Sequence, residues 1–192
     1  MGPSEHSPEI LDSPQRLEAL GLARGSVEAW VLRGMRLVPE SSSTLNRIYS
    51  PAFVTLLLNG RLRGCIGTLD SDTSLGATLV ECAIAAASRD HRFPPVAEAE
   101  IRGLRLEISV LTPLRVLEDP SEVLIGRDGV MVEKSGRRGL LLPQVAARFG
   151  WDWESFLDRT CLKGGLAAGD WRQGARVWTF QAQVFGEVDP AA

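Results

Sequence analysis

Histidine and cysteine are scarce in this 192-residue chain, and their scarcity is the first limit on its chemistry. There are two histidines, His6 and His91, and three cysteines, Cys65, Cys82 and Cys161, none in a close pair. A zinc centre wants about four convergent nitrogen or sulfur ligands, so this scattered set argues against a metal site. No Walker loop, glycine-rich dinucleotide fingerprint, HExxH, CxxC or GxSxG elbow occurs. The function classes that rest on those spacings lose their support. Long apolar runs are also missing: stretches such as Cys82–Ala87 fall far short of the roughly 18 residues that span a bilayer. An odd cysteine count, with an acidic start that lacks an apolar signal core, points to a reducing, cytoplasmic setting. Lys plus Arg total 21 against 24 Asp plus Glu, a net charge of −3. That balance argues against nucleic acid as the main partner, although Arg137-Arg138 is a local basic pair.

What is present is the composition of an ordinary globular chain, 44% hydrophobic and 23% charged. Its length suits one domain, or a larger and a smaller lobe sharing one core. Residues 1–12 read as a tail, 13–188 as the folded domain and 189–192 as a second tail. Ser13-Pro14 starts a helix that runs to about Gly34, with Leu17, Leu20, Val27, Trp30 and Val31 at helical spacing. Phe53–Leu58 reads as a strand covered on both faces, and Asn59-Gly60 turns it into a hairpin. On the return strand, a period of two puts Arg61, Arg63 and Cys65 on one face and Leu62 and Ile66 on the other. A second helix covers Leu75 to about Ser88, capped from Asp72-Thr73-Ser74. Strands follow at Leu104–Leu111, Val123–Gly126, Val130–Glu133 and Leu140–Leu142. Two short helices after Pro143 and over about Trp153–Thr160 precede a last strand, Arg176–Val188, with Trp178, Phe180, Ala182 and Val184 inward and Thr179, Gln181 and Gln183 outward. This order has little βαβ alternation and is α+β.

One segment carries a chemical suggestion. In Leu62-Arg63-Gly64-Cys65-Ile66-Gly67, glycines flank a thiol and permit close approach of a ligand or backbone. Arg63, on the expected face of Cys65, offers a fixed positive charge to a thiolate or to a ligand's anion. Glu107 is a carboxylate on the polar side of an alternating strand, either an acid/base group or an ion-pair partner for Arg63. His91 is a possible base for Cys65, though a histidine before a Pro-Pro corner suits a solvated loop. Gln144 lies in the first turn after Pro143, where free amides can hold an anion. Lys163, before Gly164-Gly165, either points into a cleft or decorates a helix end. Trp151, Trp153 and Trp171 read as core that seals a lobe rather than as a base-stacking platform.

Six runs, in order, resemble the AMMECR family, whose prokaryotic members are called AmmeMemoRadiSam system protein A. They are Phe53–Leu56, Leu62–Gly67, Arg92-Phe93-Pro94-Pro95, Leu106–Leu111, Gly139–Ala146 and Trp178-Thr179-Phe180. The resemblance spans about residues 15–187. It implies an α+β fold with a single barrel-like, mostly antiparallel sheet built from two strand-and-helix halves, with helices packed outside. It brings no established reaction and no cofactor. The family's name implies partners among Memo-like and radical-SAM proteins, and its most distinctive motif falls on Arg63, Gly64, Cys65 and Gly67. Members often carry Pro at the position of His91, and Lys-Ala-Gly-Leu where this chain has Lys163-Gly164-Gly165-Leu166. The first departure counts against His91 as an indispensable base. The expected function is an enzyme with an inter-lobe cleft centred on Cys65, with Arg63, Gly64, Gly67, Glu107, Gln144 and Lys163 as ligand contacts. The alternative is a non-catalytic module that docks those partners.

Overall fold

Asn59 and Gly60 adopt φ of 52° and 73° in the computed structural model, which describes residues 8–187. Two consecutive positive φ values make the tight turn whose twist matches that of the flanking strands. The turn joins β1 (Ala52–Leu58) to β2 (Arg61–Thr68). Ser135 and Gly136 repeat the device, at φ of 52° and 76°, between β5 (Gly129–Lys134) and β6 (Arg137–Leu141). These hairpins belong to two units, a larger one (Glu9–Leu111 with 183–187) and a smaller one (Thr112–Ala182 with Pro8). The fold is α+β, and the ladders among the described residues form two four-stranded antiparallel sheets where one barrel-like sheet was expected.

In the larger unit the strand order is β2-β1-β3-β8, with β3 at Leu104–Leu111 and β8 at Ala182–Gly186. The expected alternation of β3 holds: Leu104, Leu106, Ile108 and Val110 are at most 1% exposed and share a core with Val54 and Leu56. Helices α1 (Ser13–Arg33) and α2 (Leu75–Ser88) cover that face, α2 directly on β1 and β2. Their small residues Ala19, Ala23, Ala83 and Ala86 are all buried, which lets the helices approach closely. Leu17, read as an inward position of α1, is 71% exposed because this alanine stripe faces the core instead. The N-cap of α1 is Asp12 rather than Ser13: its carboxylate accepts from the Gln15 amide at 2.9 Å while the Gln15 side chain accepts from its own.

Residues 1–7 and 189–192 of the expected tails, and residue 188 at the end of the expected last strand, lie outside the described residues. Leu11, counted with the first tail, is fully buried. Gln183 explains why: its side-chain oxygen accepts from the Leu11 amide at 2.7 Å and its amide donates to the Leu11 carbonyl at 2.9 Å. Gln183, expected to face outward, is therefore 5% exposed.

The smaller unit has the order β4-β7-β5-β6, with β4 at Arg115–Val116 and β7 at Arg176–Phe180. Helices α3 (Pro143–Phe149) and α4 (Trp153–Lys163) pack there, around a core of Val130, Val132, Phe156, Leu157 and Cys161. Trp171 is buried in this core and Trp151 and Trp153 pack against it, as sealing residues. Two strand expectations change. Val123–Gly126 is a turn closed by Asp128, whose carboxylate accepts from the Leu124 amide at 3.0 Å. The single strand expected over Arg176–Val188 is broken at Gln181 into β7 and β8.

Candidate functional site

The register of β2 decides what its motif can do. Leu56 opposes Gly64 while Leu57 opposes Leu62, so Arg63 is an extra residue in β2 with no partner on β1. Such a bulge re-aims side chains and breaks the period of two. Leu62, expected opposite in sense to Cys65, consequently shares its face, and Arg63 leaves it. The Arg63 guanidinium donates to both oxygens of Glu100 at 2.7 and 2.9 Å, and to the carbonyls of Pro94 and Pro95. Its side chain is 11% exposed. The hydrogen bond with Glu100 raises the arginine's pKa and, joined by the Ala97 amide, lowers that of the carboxyl. The charge expected to serve a thiolate or a ligand is thus committed to the Pro-Pro corner, and Glu107 is not its partner.

The two glycines are set by packing. A Cβ on Gly64 would stand 2.2 Å from the carbonyl oxygen of Ala86 in α2. One on Gly67 would stand 2.2 Å from the Phe53 ring, which lies over the strand there.

Cys65 is held differently. Its amide donates to Asp90 at 2.9 Å, and its carbonyl accepts from Arg92 at 3.3 Å. Arg92 also binds the Asp90 carboxylate through both oxygens, at 2.9 and 2.6 Å. Bonds from Arg92, and then from the Cys65 amide, hold Asp90 well below the usual carboxylate range although it is 4% exposed. Two side chains thereby close the outer edge of β2 at this residue. Because the Cys65 backbone groups point away from β1, Cys65 and Thr55 are the closely spaced kind of antiparallel pair. Their side chains meet: the Thr55 hydroxyl donates to Sγ at 3.3 Å. Thr55 in turn opposes Glu107 on β3.

The result is a polar row, Cys65–Thr55–Glu107, across three neighbouring strands on the sheet face opposite α2. Its ends are about 10 Å apart at the backbone, one narrow and one wide pair spacing. Cys65 is half-buried. Burial pushes the Glu107 carboxyl up, favouring its protonated form. The other two thiols are core: burial, with Glu81 and Cys65 nearby, pushes Cys82 up to about 11, and burial raises Cys161.

The remaining expected site residues are not part of this row. Gln144 is exposed at the start of α3 and Lys163 at the end of α4, both in the smaller unit, and His91 is exposed in the turn after α2. Thr55, Asp90 and Arg92 are residues the sequence reading missed. Thr55 had one visible signal, a lone hydroxyl in an otherwise apolar strand.

A cavity of about 540 Å³ opens beside β2, between its residues Ile66–Thr68, the loop that follows and α2. Among the described residues no three His, Cys, Asp or Glu side chains gather as a metal site, and no helix is long and apolar enough to cross a membrane.

Residues 20–185 match the model of the AMMECR1 family. A protein of Methanosarcina mazei is 39% identical over 190 residues, which cover 94% of this chain and 96% of that one. One of Methanothermobacter thermautotrophicus is 43% identical over 175 residues, covering 86% and 91%. An uncharacterised protein of Pyrococcus horikoshii, in its crystal structure, is similar with a TM-score of 0.88 at 36% identity, covering 94% of this chain and 95% of that one.

Proposed function

We propose, for a chain that belongs to the AMMECR1 family, that it is an enzyme whose nucleophile is the Cys65 thiol and whose ligand lies along the Cys65–Thr55–Glu107 row. One observation carries the reading: a half-buried thiol receives a hydroxyl hydrogen bond at 3.3 Å in a row that ends on a carboxyl whose pKa burial raises. Thr55 fixes the sulfur. Glu107 supplies or takes a proton at the far end of the ligand. Asp90 and Arg92 hold the Cys65 backbone. The proposed partners are the Memo-like and radical-SAM proteins to which the family's prokaryotic name refers.

Alkylation of the native protein with iodoacetamide at neutral pH, followed by peptide mass mapping, tests the thiol. Cys65 is expected to react well ahead of Cys82 and Cys161. Equal inertness of all three would sink the proposal.

A second reading has its own support: packing accounts for Gly64 and Gly67, and hydrogen bonds to Glu100, Pro94 and Pro95 account for Arg63, which suits a docking module built on a rigid strand. Complementation of a deletion strain separates the two. Loss of function in Cys65→Ser, with folding intact, supports the enzyme, whereas full function in that variant supports the docking module.

A further inference from the structure

The edge of β2 is closed by the chain itself up to Cys65 and then left open. At Arg63 the strand is clipped to the Pro94-Pro95 corner, and at Cys65 the outward amide and carbonyl are taken by Asp90 and Arg92. Outward backbone groups recur every second residue of an antiparallel strand, so the next pair belongs to Gly67. Neither its amide nor its carbonyl has a hydrogen-bond partner among the described residues. Open strand edges are ordinarily covered, charged or cut short. This one faces the 540 Å³ cavity, whose size falls within the roughly 300–1,000 Å³ of small-ligand sites.

The cavity's walls narrow the ligand class. Ile66, Ala77 and Ala85 contribute apolar surface, suited to a side chain rather than to a second charge. On one side Arg36 and Arg89 share a single carboxylate, Glu81, at 3.0 Å each. Each guanidinium carries five N–H donors, so two of them on one acid retain donors and a surplus positive charge for an incoming carboxylate. Asp70 and Asp72 also line the cavity, and their charge disfavours a dianion.

We propose that this cavity binds a short extended peptide segment that adds to the edge of β2 at Gly67, with an apolar side chain between Ile66 and Ala85 and a carboxylate toward Arg36 and Arg89. Main-chain hydrogen bonds to a strand edge supply affinity, and pockets for alternate side chains supply selectivity. The site is independent of the thiol row: the cavity lies toward α2, whereas Cys65 faces the other side of the sheet.

The test is amide NMR of the uniformly labelled full chain against N-acetylated tetrapeptides with free C-termini and apolar central residues, each taken to about 5 mM, a weak-binding ceiling. Saturable shifts are expected at Gly67, Thr68, Ala77 and Glu81. Methylating the peptide nitrogen that faces Gly67 should weaken binding about tenfold, the loss of one hydrogen bond. Arg36→Gln and Arg89→Gln should each weaken the free-acid peptides several-fold and leave their C-terminal amides unaffected, with the rest of the spectrum unchanged as the check on folding. No shift at Gly67 from any peptide overturns the proposal. So does indifference to N-methylation, or equal shifts from inorganic phosphate, which would mark a plain anion site.

Discussion

The two units carry the same arrangement of strands with opposite chemistry on one row. In each, a hairpin with a positive-φ turn supplies an edge and a central strand, a helix follows, and a later strand adds on the other side: β2-β1-β3 in the larger unit, β6-β5-β7 in the smaller. In each, a glycine of the edge strand sits against a helix carbonyl, Gly64 against Ala86 and Gly139 against Thr160. One residue beyond that glycine, the larger unit aligns Cys65, Thr55 and Glu107 across its strands, and the smaller aligns Leu140, Met131 and Trp178. The fold therefore accepts an apolar row at this place. A hydroxyl, a thiol and a raised carboxyl there are not demanded by the architecture, and that favours a role for them in chemistry. The bulge is the other difference: β5 and β6 pair without a shift, and Arg138 pairs with Glu133 across the strands with its side chain 61% exposed, against 11% for Arg63.

The glycines are the place where the likeness should break most violently. Gly139→Ala and Gly64→Ala put a methyl group 1.9 and 2.2 Å from a backbone oxygen, and each is expected to cost about 3 kcal/mol or more in thermal or urea unfolding. Gly21, on an exposed helix face with nothing within 4 Å of an added Cβ, gives the opposite sign: alanine there should stabilise by about 0.5–1 kcal/mol. Equal, small effects at all three positions would show that the close helix–strand contacts do not hold in solution.

The arginines come next. Arg63→Ala strands a mostly buried carboxylate and removes two carbonyl contacts, for an expected loss of about 1–3 kcal/mol. Arg138→Ala, in an exposed pair, should cost no more than about 0.5 kcal/mol. The pH dependence follows from Glu100, whose folded pKa is depressed. Its contribution is present above the unfolded value near ~4.3 and is lost as pH falls through the folded one. The gap between wild type and Arg63→Ala should accordingly shrink below about pH 4.

Much of this was legible from the letters because it is local. Asn59-Gly60 named its turn, Leu75–Ser88 was bounded by its cap, and the alternation over Leu104–Leu111 gave the core face of β3. What failed was non-local. A period of two assumes an unbroken ladder, so the bulge at Arg63 turned that residue from an expected ligand contact into a clip. Gln183 alternates as an outward residue, yet its carboxamide makes two hydrogen bonds to Leu11, about 170 residues away in sequence. Thr55 could be given a role only once the register set it between Cys65 and Glu107, since a hydroxyl in an apolar strand says nothing about its neighbours on other strands.

The smallest expected effect is the most discriminating for the polar row. Burial raises the Glu107 carboxyl, so folding favours its protonated form, and a charge there costs stability as pH rises through the folded pKa. Below the unfolded value, near ~4.3, the carboxyl is neutral in both states and costs nothing. Glu107→Gln removes the cost without changing shape, and should raise the melting temperature at pH 7 by about 2 °C while leaving it unchanged at pH 3.5. In the same strain used for complementation this variant should lose function. A residue kept for packing gives stability and function the same sign on substitution, as Leu140 and Met131 should in the smaller unit, whereas a catalytic carboxyl gives them opposite signs. A lower melting temperature for Glu107→Gln at pH 7 would return Glu107 to the structural residues, and the Cys65–Thr55–Glu107 row would lose its proton carrier.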